Sequence, residues 1–392
     1  MTVPMLVVPC LASLALYLLA WCLVVPRLLA RRPAARHPVD LPGLTILKPL
    51  CGVDEDLERN LATFLDLEHA PLQIVFGVAD PLDPALAIVR RLVRARPGRD
   101  VSIVVGRTTA APSPKIALLE ALLPHARHPV VLLSDSNVRL AGSEPAAILP
   151  LFADPTVGMV YQPVVARGER TVAAAIENLH YTEYAAFLTI GIHALVRQHT
   201  VNGKGMWLRR TTLDSIDGFT AVRDSGADDY ELGRQVQAAG WGLVPAAMPV
   251  GVVQRDWSWR SLLARNLRHA GLRLRICPLA YPLELLVNPV AWALPLVCVP
   301  RLAPLAVAVI ALKLALELSA TRLLRGQGLA PRFVAVALLK DVVMFACWFV
   351  AVFQRTATWR DRTYRFLPGG RIELVTAPAG ALEAAGALET AA

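Results

Sequence analysis

Lysine is almost missing from this 392-residue chain: among its 40 basic residues, lysine stands only at positions 48, 115, 204, 313 and 340. Paired cysteines are missing too. The six cysteines are scattered, Cys10, Cys22, Cys298 and Cys347 in apolar runs and Cys51 and Cys277 alone. Without a CxxC or Cys/His spacing they offer no zinc site, and they read as reduced thiols. No Walker loop, GxGxxG, HExxH or GxSxG occurs in a suitable context, which excludes the commonest nucleotide hydrolases, dehydrogenases, zinc proteases and serine hydrolases. The net charge is +9, yet no run of basic residues is interleaved with aromatics on a soluble module. Nucleic acid is therefore not the expected partner, and anionic lipid headgroups are.

What is present is apolar. Hydrophobic residues make up 55% of the chain and mean hydropathy is +0.47, too high for a wholly soluble protein. Val3 to Pro26 is almost unbroken apolar sequence, and about 20 such residues span a bilayer core. Its charges follow it, at Arg27, Arg31, Arg32 and Arg36, whereas a signal peptide begins with them. Residues 1–30 therefore read as an uncleaved anchor that leaves the following domain in the cytoplasm, in a bacterial inner membrane.

Residues 42–278 alternate short apolar runs with helical periodicity. The runs at 44–48, 73–78, 101–105 and 130–134 predict buried strands of a parallel sheet. Helices are expected between them, one capped by Asp54 and others over 84–96 and 115–123, giving an α/β layer fold. Residues 171–197 and 229–239 predict further helices, and VNGKGMWLRR predicts a strand that another segment approaches closely. Residues 279–355 hold three apolar stretches, about 282–300, 302–321 and 333–353. The first carries Pro282, Pro289 and Pro295 and predicts a kinked or re-entrant segment. The basic WRDRTYRF tail favours the cytoplasm, whereas three full spans would put it outside. Residues 356–392 are expected to be basic and then disordered.

Candidate site residues sit at the ends of the predicted strands and helices, where open α/β sheets bind ligands. Asp80 ends the second strand, placed to accept from a nucleobase or ribose or to cap a helix. Asp135, in SDSN, suits a divalent cation that also holds phosphate oxygens, with Asn137 beside it, or an ordinary strand-end cap. Lys115 can reach a phosphate as a point charge. Asp228 and Asp229 open a helix whose dipole favours negative charge. Asp229 is the candidate general base, with Asp228 as its helper. Arg265 and Arg268 share a helix face beside Trp257, Trp259, Leu262, Leu263 and Leu267. That face suits an interfacial helix with snorkelling arginines, the reading given to Arg260, Arg273 and Arg275, and also a diphosphate leaving group.

Taken together, ILKPLCGVDEDLERNLATF, PLQIVFGVADPLDPA, SPKIALL, LLSDSN, GADDYELG and RNLRHA resemble the ceramide glucosyltransferase family of inverting, membrane-bound glycosyltransferases. The resemblance extends weakly to the WRDRTYRF tail. It implies a GT-A fold, three spaced aspartates and a Q/R-x-x-R-W box. By it, Asp80 would contact uridine, Asp135 would serve a metal (Mg2+ or Mn2+) and the diphosphate, and Asp229 would be the base. Arg265 and Arg268 would be the box arginines, and a UDP-sugar and a membrane lipid the substrates. Two positions depart from the pattern: His269 stands where the box has Trp, and Ser113 where an Asn precedes Pro-Lys. A bacterial hopanoid-glycosylating relative shares the ADDYxLG pattern. A hopanoid or diacylglycerol glycosyltransferase, a processive polysaccharide synthase and a non-catalytic lipid-binding protein are the alternative readings.

Overall fold

The computed structural model describes residues 4–29, 41–107, 109, 111–359 and 362–376. Arg31, Arg32 and Arg36 of the basic flank, Arg360 and Asp361, and the tail expected to be disordered beyond 376 lie outside them. The chain divides into two compact units: Arg31–Arg167 with Gln198–Gln254, and Met1–Ala30 with Gly168–Arg197 and Arg255–Ala392. The segment expected at 42–278 is thus shared between the units, because residues 168–197 and 255–278 belong with the apolar helices.

The first unit is built on a seven-stranded sheet. All four expected strands form: β1 (Leu44–Leu50), β2 (Leu72–Val78), β3 (Asp100–Val105) and β4 (Val130–Leu133). They are parallel, in the order β3-β2-β1-β4, and β3, at the edge, is only half-buried rather than buried as expected. β1 and β4 are buried along almost their whole length, which is why they read as unbroken apolar runs rather than alternation. Beyond β4 the sheet is mixed, with an antiparallel strand followed by a parallel pair. Met206–Arg209 pairs Met206 with Leu133 and also joins Val157–Tyr161, and Gly242–Pro245 completes the edge. One core of Leu47, Val75, Leu119, Met206, Phe219, Leu232 and their neighbours unites the sheet with the helices Pro114–Leu122 and Asp228–Ala238. Two features position the site. The strand order switches direction about β1 and β4, so the loops leaving those strands open a crevice. The antiparallel register delivers the loop before Met206 to the carboxyl end of β4.

Among the described residues the second unit holds three helices long and apolar enough to cross a membrane: Val7–Leu29, Ala303–Arg325 and Pro331–Ala351. The stretch expected at 282–300 is broken, as its prolines predict, into a 3-10 turn Tyr281–Val287 and a helix Pro289–Val297. Ala303–Arg325 runs parallel to the N-terminal helix. Cys10 packs with Ala306 and Val309 towards one end, and Trp21 Nε1 donates to Ser319 Oγ at 3.0 Å towards the other. Charge is buried among these helices, where three carboxylates meet two lysines. Lys313 Nζ lies 2.5 Å from Glu317 Oε2 and 2.6 Å from Asp341 Oδ2. Lys340 meets Glu317 and Glu183, and Tyr17 OH donates to Glu183 Oε1 at 2.7 Å. Removing one partner of such a buried pair costs about 3–5 kcal/mol. The tail does more than carry charge: Thr356–Trp359, Arg362–Phe366 and Ile372–Thr376 form an antiparallel sheet.

Candidate functional site

In the first unit the structure brings four of the expected residues together. Lys115, in the first turn of Pro114–Leu122, lies 2.8 Å from Asp228 Oδ2 and 3.4 Å from Asp135 Oδ1. Asp229 follows Asp228 at the start of its helix, and its Oδ2 accepts the Gly203 N–H at 2.8 Å while its Oδ1 accepts the Tyr230 N–H at 2.8 Å. The close approach expected of VNGKG is real. A Cβ at Gly203 would lie 3.2 Å from Lys115 Nζ and 3.4 Å from Asp229 Oδ2, so glycine keeps that turn close to the carboxylates. The helix start is not the solvated one that paired aspartates alone suggest, since the Asp228 side chain is only 19% exposed.

Two more lysines complete the group, and the sequence reading assigned neither to the site. Lys204 Nζ lies 2.5 Å from Asp135 Oδ2 and 3.0 Å from Asn137 Oδ1. Lys48, fully buried in β1, donates to the Asp135 backbone carbonyl at 2.5 Å and sits 3.7 Å from the Phe64 ring centroid. Their signal was the rarity of lysine itself: three of the five lysines in the chain converge on Asp135, and the other two sit in the buried network of the second unit.

The electrostatics follow from this crowding. Burial would lift the Asp135 carboxyl, but the Lys115 and Lys204 ammoniums overcome it and hold the group well below the usual carboxylate range. Burial would lower Lys115, but Asp135, Asp228 and Asp229 together raise it. Asp229 goes the other way to Asp135: burial and the adjacent Asp228 raise its carboxyl despite Lys115. A carboxylate of raised pKa beside one that stays ionised separates a proton acceptor from a charge-bearing partner.

Asp80 ends β2 in an exposed turn, where its Oδ1 accepts the Leu82 N–H at 2.8 Å. It does not cap the next helix. Asp83 does, accepting from Ala85 N at 2.8 Å and also holding the Gly52 N–H at 2.9 Å. Among the described residues no hydrogen bond or ion pair joins Asp80 to the Asp135 group. Asp54 does not cap its helix through its side chain either, because it accepts from Ser136 instead.

The basic box lies in the second unit, on the helix Trp259–Ile276, whose N-cap Ser258 accepts from Ser261 N at 3.1 Å. Arg265 Nε is 3.0 Å from Glu177 Oε1, with the guanidinium 4.6 Å from the Tyr181 ring and 5.5 Å from Trp257. Arg268 lies 4.7 Å from the Trp359 ring, and its Nη2 is 3.4 Å from His269 Nε2. Burial and the surrounding arginines hold the His269 imidazole well below its usual range. Arg273 and Arg275 do not simply snorkel: Arg273 pairs with Glu284 at 2.8 Å, and Arg275 donates to the Gln354 carbonyl at 2.5 Å.

Three carboxylates, an amide carbonyl and three lysine ammoniums gather at the mouth of the crevice, and the ammoniums suit an anionic, phosphate-bearing ligand. The chain is similar to ceramide glucosyltransferase 3 of Caenorhabditis elegans, 23% identical over 240 residues that cover 61% of this chain and 52% of that protein. It is also similar to ceramide glucosyltransferase 1 of the same organism, 24% identical over 205 residues that cover 51% and 43%. The chain thus spans about half the length of the curated relatives it matches. The solved mannosyltransferase PcManGT of Pyrobaculum calidifontis, in complex with GDP-mannose and Mn2+, superposes with a TM-score of 0.53 at 20% identity, over 89% of this chain and 99% of that one. That likeness shows the GT-A-type fold. The profile of glycosyl transferase family 21 matches residues 6–372, and the chain belongs to that family.

Proposed function

We propose that the protein transfers glucose from UDP-glucose to a membrane-lipid hydroxyl, that of ceramide, with inversion at the anomeric carbon. The observation that carries this reading is Asp229. It is oriented by the Gly203 and Tyr230 N–H groups and made more basic than an ordinary aspartate by burial and by Asp228. Asp229 takes the proton of the acceptor hydroxyl. The hydroxyl oxygen attacks the anomeric carbon, and the bond to the diphosphate breaks with its electron pair leaving on UDP. Lys115 and Lys204 supply positive charge for the departing diphosphate, the electrostatic contribution that usually dominates, and Arg265 and Arg268 are proposed as the donor-binding arginines of the box on the family resemblance. Asp80 is the proposed uridine contact.

A hard divalent cation, Mg2+ or Mn2+, suits the donors by type: the carboxylates of Asp135 and Asp228 and the Asn137 carbonyl are oxygen ligands. The two carboxylates already converge on one ammonium, Lys115 Nζ, so they can converge on one cation once that lysine turns to the diphosphate. Bound there, the cation supplies neutralisation of phosphate charge. The carboxylates of Glu183, Glu317 and Asp341 also converge, but each is already engaged by Lys313, Lys340 or both.

The protein is proposed to face the cytoplasm with its α/β unit. Two parallel spans, Val7–Leu29 and Ala303–Arg325, require the chain between them to return across the bilayer. Tyr281–Val287 and Pro289–Val297 together reach about 27 Å, close to the ~30 Å core. Arg322 and Arg325 then end the last parallel span on the cytoplasmic side. Pro331–Ala351 runs alongside the arginine-rich helix Trp259–Ile276, Phe333 and Val336 against Leu262 and Ala351 against Ala270. A helix carrying five arginines is not a lipid-embedded partner, so this pair lies at the interface. The basic tail then stays in the cytoplasm.

The test is transfer by purified protein in ceramide-containing vesicles, with UDP-glucose as donor and the lipid product identified by mass spectrometry. Formation of hexosylceramide supports the reading. Donor consumption with no ceramide product refutes the acceptor.

A further inference from the structure

Within the second unit, the tail hairpin and the last turn of the helix Trp259–Ile276 enclose a cavity of about 630 Å³. Arg275, Arg355, Thr356, Arg365, Phe366 and Pro368 line it, and its size falls within the ~300–1,000 Å³ of ordinary small-ligand sites. Arg275 stands in the last turn of the helix, where the dipole favours a cation. At the base of the hairpin the Phe366 N–H donates to the Arg355 carbonyl at 3.0 Å, and Thr356 pairs with Arg365. The register thus sets Arg355 and Arg365 side by side. Gly370 lets the following turn seat on the helix end, since a Cβ there would meet Ile276 Cγ1 at 2.5 Å.

Three guanidiniums face one space, and no carboxylate lines it. Arg275 is held in place by the Gln354 carbonyl at 2.5 Å and by the Phe366 ring, 5.2 Å away. Both contacts orient the guanidinium and leave its charge in place. Burial lowers the Arg275 group from its usual range, and the Arg355 charge adds to that against Tyr281. Arg365 meets Glu373 at 3.3 Å, but both side chains are more than half exposed, and such surface pairs hold little. Like charges gathered this way are relieved by a bound anion.

The chain just before Arg355 shows where that anion comes from. The apolar helix Val336–Ala351 runs out there, with Phe349 and Phe353 54% and 72% exposed and edge-on to each other at 5.5 Å. Exposed aromatics of this kind enter the acyl boundary of a membrane while arginines stay at headgroup level. A soluble anion has no use for the aromatics. A phospholipid uses both.

We propose that the cavity binds an anionic phospholipid, with its phosphodiester on Arg275, Arg355 and Arg365 and its acyl chains beside Phe349 and Phe353. The planar guanidinium fork suits phosphate oxygens in pairs. This lipid is a different ligand from the proposed acceptor, because ceramide is uncharged and gives three arginines nothing to neutralise. The site stands independently of the glucosyl-transfer reading and of the basic box.

The experiment titrates the full-length protein in neutral detergent with dihexanoyl phosphatidylglycerol and follows its unfolding temperature, which a ligand of the folded state raises. Dihexanoyl phosphatidylcholine and inorganic phosphate are run in parallel, and ceramide is added as a competitor. Arg355→Gln and Arg365→Gln replace exposed side chains, and each is expected to weaken the phosphatidylglycerol response roughly fivefold. Arg322→Gln, an exposed arginine on another helix, should change it less than twofold. Equal losses in all three variants would mean diffuse attraction and would overturn the site, as would no loss in Arg355→Gln and Arg365→Gln. Inorganic phosphate binding as tightly as the lipid overturns the lipid assignment. Displacement of phosphatidylglycerol by ceramide would hand the cavity to the acceptor and also overturn it.

Discussion

Lys115 Nζ lies 2.8 Å from Asp228 Oδ2, tying the first turn of one helix to the first turn of another. Asp228 stands directly beside Asp229, and its negative charge is, after burial, a cause of the raised Asp229 carboxyl.

The pH dependence of transfer follows. The base must be ionised, so kcat/KM should fall as pH drops through the Asp229 pKa, at a higher pH than an ordinary aspartate near ~3.9 would give. Asp228→Asn removes a charge that raises that pKa, so its acid limb should move to lower pH while turnover falls only moderately. A limb that stays in place or moves up would show that Asp228 does not act on Asp229 through charge. The pH–rate profile of both proteins decides this.

Lys204 should compete with a divalent cation for Asp135, because its ammonium lies 2.5 Å from Oδ2. Lys204→Met is expected to lower the metal concentration that half-activates transfer by about fivefold, the equivalent of ~1 kcal/mol, and to raise the donor KM. Metal titration of the wild-type and variant enzymes measures both. A weaker metal requirement for Asp135→Asn than for the wild type would contradict the assignment of the cation to that carboxylate.

The parallel sheet was legible because strands buried on both faces, such as β1 and β4, leave continuous apolar runs, and the half-buried edge strand β3 keeps such a run as well. Asp135, Lys115, Asp228 and Asp229 were legible because each closes or opens such an element. Lys204 was not, since a lone lysine in a glycine loop has no local pattern and only the register of Met206 against Leu133 brings it to Asp135. The tail sheet escaped notice because its short strands carry arginines at 362 and 365, so composition outweighed the alternation beneath it. The division of the chain also escaped notice. The helix Val172–Thr182 begins only a few residues after the strand Val164–Arg167 of the first unit, and sequence order does not report which core a helix joins.

Topology is tested with reporters fused at the loop after Val297, at Gly326 and after Thr376. The first is expected on the side opposite the α/β unit, and the other two on the same side. A reporter after Thr376 on the opposite side would mean that Pro331–Ala351 crosses the bilayer, and the interfacial placement would have to be withdrawn.

The most direct measurement of the central claim is transfer from UDP-glucose to ceramide by the wild-type protein and by Asp229→Asn, with UDP-glucose binding measured on both. The account predicts hexosylceramide from the wild type, binding nearly intact in the variant, and turnover lowered at least ~100-fold, the low end for loss of a general base. Comparable turnover in the two proteins would contradict it, because the base would then lie elsewhere.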